Sequence, residues 1–322
     1  MVEEDAQPVV EEDAQRLSRN QPLVWLPFEP EELGDPPTGL RYEVVDPTRE
    51  VPDSVGEVRF YVAPYAVGSR VADVIDRMSS LEVVQTLTAG VDNIAARIPD
   101  GVTLCSGRGI HDASTAELAV TLTLASLRGV PEFVRAQDRH EWTFGWHPAL
   151  ADKTVLLVGY GAIGAAVEAR LAPFECSVVR VARSARDGVH AITELPALLP
   201  TADVVVLVLP LTDQTRGLVD ASFLASMKDG ALLVNVARGP VVDTDALVAE
   251  LTSGRLHAAV DVVDPEPLPV DHPLWDCPGL LVSPHAGGAS SAMWPRAYRL
   301  VRDQLHRIAV GEEPVNIMTG DY

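Results

Sequence analysis

Three residues of this 322-residue chain could together handle a carbonyl lying beside a carboxylate: Arg238, Glu266 and His285. Arginine offers a planar fork to a carboxylate, histidine titrates near neutrality, and a carboxylate beside a histidine fixes its ring and favours the imidazolium. Singly, each has an ordinary explanation: Arg238 as a solvated cation, Glu266 as a loop acid between Pro265 and Pro267, His285 as a turn histidine behind Pro284. Their positions join them. Each follows a short apolar run, at 231–236, 256–261 and 280–283 respectively, of the length of a buried strand. In an open parallel sheet, residues just after successive strands gather along the edge where ligands bind.

The element that such an edge needs is legible further upstream. Residues 155–158 are a continuous apolar run ending on Gly159-Tyr160-Gly161-Ala162-Ile163-Gly164, followed by helical spacing and then a β-branched run at 177–181. A bare GxGxxG means little, but inside a strand–turn–helix–strand unit of about 30 residues it is a dinucleotide-binding turn. Gly159 permits the tight turn, Gly161 the approach of a pyrophosphate, and Gly164 close helix packing, with Ala162 and Ile163 at the helix N-terminus. Eighteen residues past Gly164 stands Ala182, then Arg183-Ser184-Ala185-Arg186, with no acid before Asp187. An acid there would accept bonds from the ribose hydroxyls and repel a 2′-phosphate. Guanidiniums and the Ser184 hydroxyl suit that phosphate instead, so NADP(H) is the expected cofactor, with NAD(H) still admissible.

Composition narrows the remaining classes. Forty-six acids against 25 bases give a formal charge of −21, which repels a phosphate backbone and argues against nucleic-acid partners. No apolar run approaches the roughly 18 residues of a membrane span, and the acidic start lacks the basic and apolar regions of a signal peptide; a cytoplasmic location is expected. Cys105, Cys176 and Cys277 are odd in number and widely spaced, without a CxxC pair, so neither a disulfide framework nor a metal site is expected.

In chain order, residues 1–20 carry EEDAQ twice and read as a solvated tail. Apolar runs at 23–26, 58–62, 81–87 and 102–105 predict strands, 69–78 a helix, and the whole a small α/β domain. Residues 114–127 predict a helix buried on most sides, with Ser114 or Thr115 as N-cap, and 131–140 a second one. A loop at 141–150 holds Trp142, Phe144 and Trp146. Beyond the glycine turn, strands at 204–209, 231–236, 256–261 and 280–283, with helices at 220–227 and 243–252, complete six strands of a doubly wound parallel sheet. A final helix at 289–310 is expected to return to the first domain. The fold class is thus α/β: a Rossmann-type nucleotide domain at 113–286 and a smaller, discontinuous domain at 21–112 and 287–322.

The successive motifs VGYGAIG, LPLTDQTRGLV (209–219), NVARGPVVD (235–243), DVVDPEPLP (261–269) and SPHAGG (283–288), together with AGVDN (89–93), resemble those of the D-isomer-specific 2-hydroxyacid dehydrogenases over about residues 22–316. The resemblance implies a flavodoxin-like substrate domain and Arg238, Glu266 and His285 as the catalytic set. It implies Asp261 as partner of the nicotinamide carboxamide, and Leu209, Pro210, Val236, Ala237, Arg238, His285 and Gly287 among the residues around the dinucleotide. Backbone amides at Gly90 and Val91 would help Arg238 hold the substrate carboxylate. It also implies a homodimer formed through residues 114–150. His111 stands where many members have asparagine, and the substrate side chain would be selected by loops around residues 61–65, Gly90 and Arg108. The chain ends at Tyr322 without the regulatory extension of longer phosphoglycerate dehydrogenases, which favours reduction of a small 2-keto acid, as in glyoxylate or hydroxypyruvate reductases. Oxidation of phosphoglycerate, formate or phosphite is the alternative within the class. A dinucleotide-sensing protein similar to the corepressors of this family is the alternative outside it.

Overall fold

Runs of branched aliphatic residues that are apolar on both faces set up two parallel sheets. The computed structural model describes residues 21–65 and 72–319. The tail expected at 1–20 lies outside them, as do 69–71 of the helix expected at 69–78. The described remainder of that segment forms a 3-10 turn at Ile75–Arg77 rather than an α-helix.

The chain divides into two compact units, one holding the described residues up to Ile110 and from Trp294 onward, the other His111–Met293. In the first unit, β1 (Leu23–Leu26), β2 (Arg41–Val44), β3 (Val58–Val62), β4 (Val83–Gln85) and β5 (Thr103–Cys105) form an all-parallel sheet in the order β2-β1-β3-β4-β5. This is the flavodoxin-like order. β2 was missed by sequence patterning because Arg-Tyr-Glu-Val sits on a half-exposed edge and carries no apolar run. Tyr61 is a correction of a different kind. It belongs to β3, is 1% exposed and meets Trp25 edge to face, so it is a core residue and not part of a specificity loop.

The last helix, Met293–Ala309, lies from Trp294 onward in this unit and buries Ala297, Val301 and Leu305. A pair of fully buried amides ties it to the sheet: Gln304 Nε2 donates to Gln85 Oε1 and to the Val315 carbonyl at 2.8 Å each, and Val315 N–H returns a bond to Gln304 Oε1. Gln85 in turn donates to the carbonyls of Thr86 and Ser106. Buried amides left unpartnered lose far more than a paired one gains. Gln304→Ala is therefore expected to destabilise the protein by about 2–4 kcal/mol, read as a lower urea midpoint. An unchanged midpoint would mean that the amide pair does not hold the helix.

In the second unit, β6 (Thr154–Val158), β7 (Ser177–Ala182), β8 (His190–Ala191), β9 (Val204–Leu207), β10 (Leu232–Asn235), β11 (His257–Val260) and β12 (Leu280–Val282) are parallel in the order β12-β11-β10-β9-β6-β7-β8. The sheet is wound outward both ways from the β6/β9 pair, as in a Rossmann fold. The seventh strand, β8, is two residues long, too short for any sequence pattern. Helices α1 (Asp112–Leu127), α2 (Val130–Asp138), α3 (Ala162–Leu171), α4 (Leu195–Leu198), α5 (Ala221–Ser226) and α6 (Thr244–Thr252) accompany it. Asp220 and Asp243 cap α5 and α6 by accepting from Phe223 and Ala246 N–H. The N-cap expected at Ser114 or Thr115 is overturned. α1 begins at Asp112 with the buried His111 in the cap position, and both Ser114 Oγ and Thr115 N–H donate to the His111 carbonyl. The unit boundary falls at Met293 rather than at 286, because Ala286 and Gly287 donate to Asp261 of the second unit and stay with it.

Candidate active site

Every strand of the central part of the second sheet ends in residues singled out by the sequence. After β6 the chain turns at Gly159, whose φ of +105° and whose approach to the Val208 carbonyl leave no room for a side chain: a Cβ there would stand 2.6 Å from that oxygen. Gly164 lies equally close to the Gly159 carbonyl, which seats α3 against the strand end. Gly161 differs, since a Cβ built on it would meet nothing within 4 Å. Its bare backbone faces open space at the start of α3, a ten-residue helix with no side-chain cap and no acid in its first turn. The unpaired amides of Ala162 and its neighbours thus form a place for an anion, as a pyrophosphate needs.

After β7, Arg183 and Ser184 are exposed. Arg186 opens a tight turn closed by reciprocal backbone bonds with Val189, and its Nη2 donates to the Tyr160 carbonyl at 2.5 Å. After β9, Leu209 is buried, and the Pro210 carbonyl accepts from Thr215 Oγ1. After β10, the buried Asn235 side chain folds the following turn around itself: its Oδ1 accepts from Ala237 N–H at 3.0 Å and its Nδ2 donates to the Arg238 carbonyl at 3.1 Å. Val236 and Ala237 are buried, while the half-buried Arg238 directs Nη1 to the Ala237 carbonyl at 2.8 Å.

After β11 and β12, two loops meet. His285 Nδ1 lies 2.6 Å from Glu266 Oε1, nineteen residues away in sequence. This is the pairing that the two residue types anticipated, and both side chains remain partly open to solvent. The backbone at His285 is held at φ +52°, a left-handed conformation that a side-chain-bearing residue seldom adopts. Asp261, 3% exposed, is what holds it. The Asp261 carbonyl accepts the His285 N–H at 2.7 Å, Oδ1 accepts from Ser283 Oγ at 2.5 Å and Ala286 N–H at 2.8 Å, and Oδ2 from Gly287 N–H at 2.8 Å. The anchoring roles of Asn235 and Ser283 were not read from the sequence; both lie inside its motifs, but only the folded turns reveal what they hold.

The second unit thus brings the glycine turn, Arg183, Ser184, Arg186, Leu209, Pro210, Val236, Ala237, Arg238, Asp261, Glu266, His285 and Gly287 to the carboxyl ends of one sheet's strands. Gly90 and Val91 stand in the first unit, on the loop after β4, where Thr88 Oγ1 donates to the Gly90 carbonyl at 2.7 Å. His190 also has a carboxylate partner: its Nδ1 is 2.8 Å from Glu194, an exposed pair on the β8 edge. His285 follows β12 on the strand-end edge, and that position rather than the pairing sets it apart. Among the described residues no cluster of three or more His, Cys, Asp or Glu could hold a metal ion, and no helix is long and apolar enough to cross a membrane.

A β-strand-end constellation of this kind on a doubly wound sheet defines a nucleotide-dependent oxidoreductase, and the comparisons with known proteins agree. Residues 120–287 match the family model described as D-isomer specific 2-hydroxyacid dehydrogenase, NAD binding domain. The chain belongs to this family. It is 34% identical over 260 residues to a glyoxylate reductase of Thermofilum pendens, covering 76% of each chain, and 34% identical over 227 residues to the human glyoxylate reductase/hydroxypyruvate reductase, covering 66% of this chain and 69% of that one. Among solved structures it is similar to a D-isomer specific 2-hydroxyacid dehydrogenase of Xanthobacter autotrophicus Py2 in complex with NADPH and MES, at 31% identity and a TM-score of 0.78, covering 93% of this chain and 98% of that one. An NADPH-dependent glyoxylate/hydroxypyruvate reductase of Sinorhizobium meliloti in complex with NADP and sulfate gives 27% identity and a TM-score of 0.78 with the same coverage.

Proposed function

We propose that this protein is an NADP(H)-preferring reductase of small 2-keto acids, of the glyoxylate or hydroxypyruvate type. The observation that carries the reading is the His285–Glu266 pair, 2.6 Å apart, on the same strand-end edge as Arg238 and the open glycine turn. In this reading Arg238 binds the substrate carboxylate and polarises the keto oxygen. His285 carries the proton that ends on that oxygen, and Glu266 orients its ring through Nδ1. The residues around the glycine turn fit a dinucleotide, which when bound supplies the hydride; Asp261 retains acceptor capacity on Oδ2 for a carboxamide. The names of the relatives in Thermofilum pendens and human, and the NADPH and NADP held by the two solved neighbours, support the substrate class and the cofactor.

The test is the oxidation of NADPH and NADH with glyoxylate, hydroxypyruvate, pyruvate, phenylpyruvate and 3-phosphohydroxypyruvate. Turnover is expected with the first two. Binding of the dinucleotide without turnover of any of the five would favour the sensor reading instead.

For the cofactor, Arg183→Ala is expected to weaken NADPH about ten- to a hundredfold, as for loss of one charge-assisted contact, and to leave NADH largely alone. Equal loss of both would remove Arg183 from 2′-phosphate recognition. A homodimer formed through residues 114–150 and a cytoplasmic location complete the proposal. The exposed Trp142, Phe144 and Trp146, three large aromatics within five residues, support the first.

A further inference from the structure

Tyr160, the residue between the first two glycines of the turn, stands at the centre of a cluster that the dehydrogenase reading leaves without a role. Its hydroxyl is bonded to Glu168 of α3, and Glu168 is gripped by Arg180 of β7, whose Nε lies 2.9 Å from both carboxylate oxygens. Arg180 holds the Glu168 carboxyl below the usual range, and Glu168 pushes the Tyr160 phenol up. The ring is thereby fixed, and the Arg180 and Arg186 guanidinium carbons lie 5.6 and 5.8 Å from its centroid.

The two arginines differ in charge balance. Arg180 is neutralised by Glu168. Among the described residues Arg186 makes no ion pair, and neither does Arg183; Arg186 is held by the Tyr160 ring and carbonyl alone. In a chain with a formal charge of −21, an arginine kept clear of carboxylates and stacked on the phosphate-binding turn is a preoriented anion receptor.

We propose that Tyr160 is a positioning residue for cofactor choice, holding Arg186 beside the glycine turn so that a 2′-phosphate is met by a guanidinium already in place. The proposal rests on the NADP(H) reading above and adds to it the residue that makes Arg186 effective. Pre-orientation removes the rotamer entropy that a free arginine would lose on meeting the phosphate, and Arg180 engages Glu168, the acid bonded to the same tyrosine, so that it does not capture Arg186.

The test is calorimetric titration of NADP⁺ and NAD⁺ into the full-length protein and its Tyr160→Leu, Tyr160→Phe, Arg186→Ala and Tyr160→Leu/Arg186→Ala variants, with NADPH steady-state kinetics alongside. The parent should bind NADP⁺ more tightly than NAD⁺. Tyr160→Leu should reduce that preference about fivefold by weakening NADP⁺ alone, the upper scale of one exposed cation–π contact, with the kinetic loss in KM rather than kcat. Tyr160→Phe, which keeps the ring, should retain the preference to within about threefold. The double variant should be no worse than Arg186→Ala, since both changes act through one guanidinium.

Equal weakening of NADP⁺ and NAD⁺ by Tyr160→Leu, or additive losses in the double variant, would overturn the proposal while leaving the NADP(H) reading in place. A parent protein with no preference would overturn both.

Discussion

Replacing His285 with alanine is expected to lower kcat for keto-acid reduction by about 10²- to 10⁴-fold, the range for removal of a general acid, while NADPH affinity measured by fluorescence titration changes little. Loss of a binding contact would raise KM; loss of the proton donor acts on turnover, because His285 carries the proton in this reading. The Nδ1–Glu266 bond at 2.6 Å leaves Nε2 as the nitrogen available for the substrate. Glu266→Gln is the informative companion. Glutamine keeps an acceptor oxygen for Nδ1 but removes the charge, so a milder loss, about tenfold, is expected, together with a changed pH–rate profile. Near-normal turnover of His285→Ala would exclude the histidine as proton donor, and an unchanged profile for Glu266→Gln would exclude the carboxylate from the mechanism.

Legibility in the sequence followed the range of the interactions. β1 and β3 matched their apolar runs residue for residue, and Asp220 and Asp243 announced their helices, because both signals are written within four or five neighbouring residues. The glycine turn was legible for the same reason. β2 and β8 were not, since an edge strand half open to water needs no apolar run and a two-residue strand cannot show a period. At the start of α1 the local cue misled: Ser114 and Thr115 are good caps, yet both turn their donors back to the His111 carbonyl, one turn earlier. The specificity loop expected around residues 61–65 took in Tyr61, whose ring is packed on Trp25.

At the site, strand-end position told which residues share an edge, but not what holds them there. The distance between Glu266 and His285, the left-handed backbone at His285, and the contacts of Tyr160 with Arg186 are set by loops whose paths no short pattern encodes.

Asp261→Asn is expected to lower kcat by about 10²-fold, the effect of misplacing a reacting group by roughly 1 Å, without touching His285 itself. The buried carboxylate accepts three hydrogen bonds, from Ser283 Oγ, Ala286 N–H and Gly287 N–H, all on the turn that carries His285. An asparagine has one acceptor oxygen. Whichever way its amide is turned, the NH₂ faces a backbone N–H, either that of Gly287 or that of Ala286, and two donors cannot satisfy each other. The turn also stores backbone strain at His285, of order 1–2 kcal/mol for a non-glycine residue in this region, which persists only while its surroundings hold it. With one of its anchors converted to a repulsion, the turn relaxes and the imidazole leaves the line set by Glu266. A lost carboxamide contact alone would appear as a higher KM for NADPH at near-normal kcat; a loosened turn appears in kcat and in a lower melting temperature. If Asp261→Asn kept kcat within threefold and melted like the parent, the carboxylate would not be what holds His285 in place.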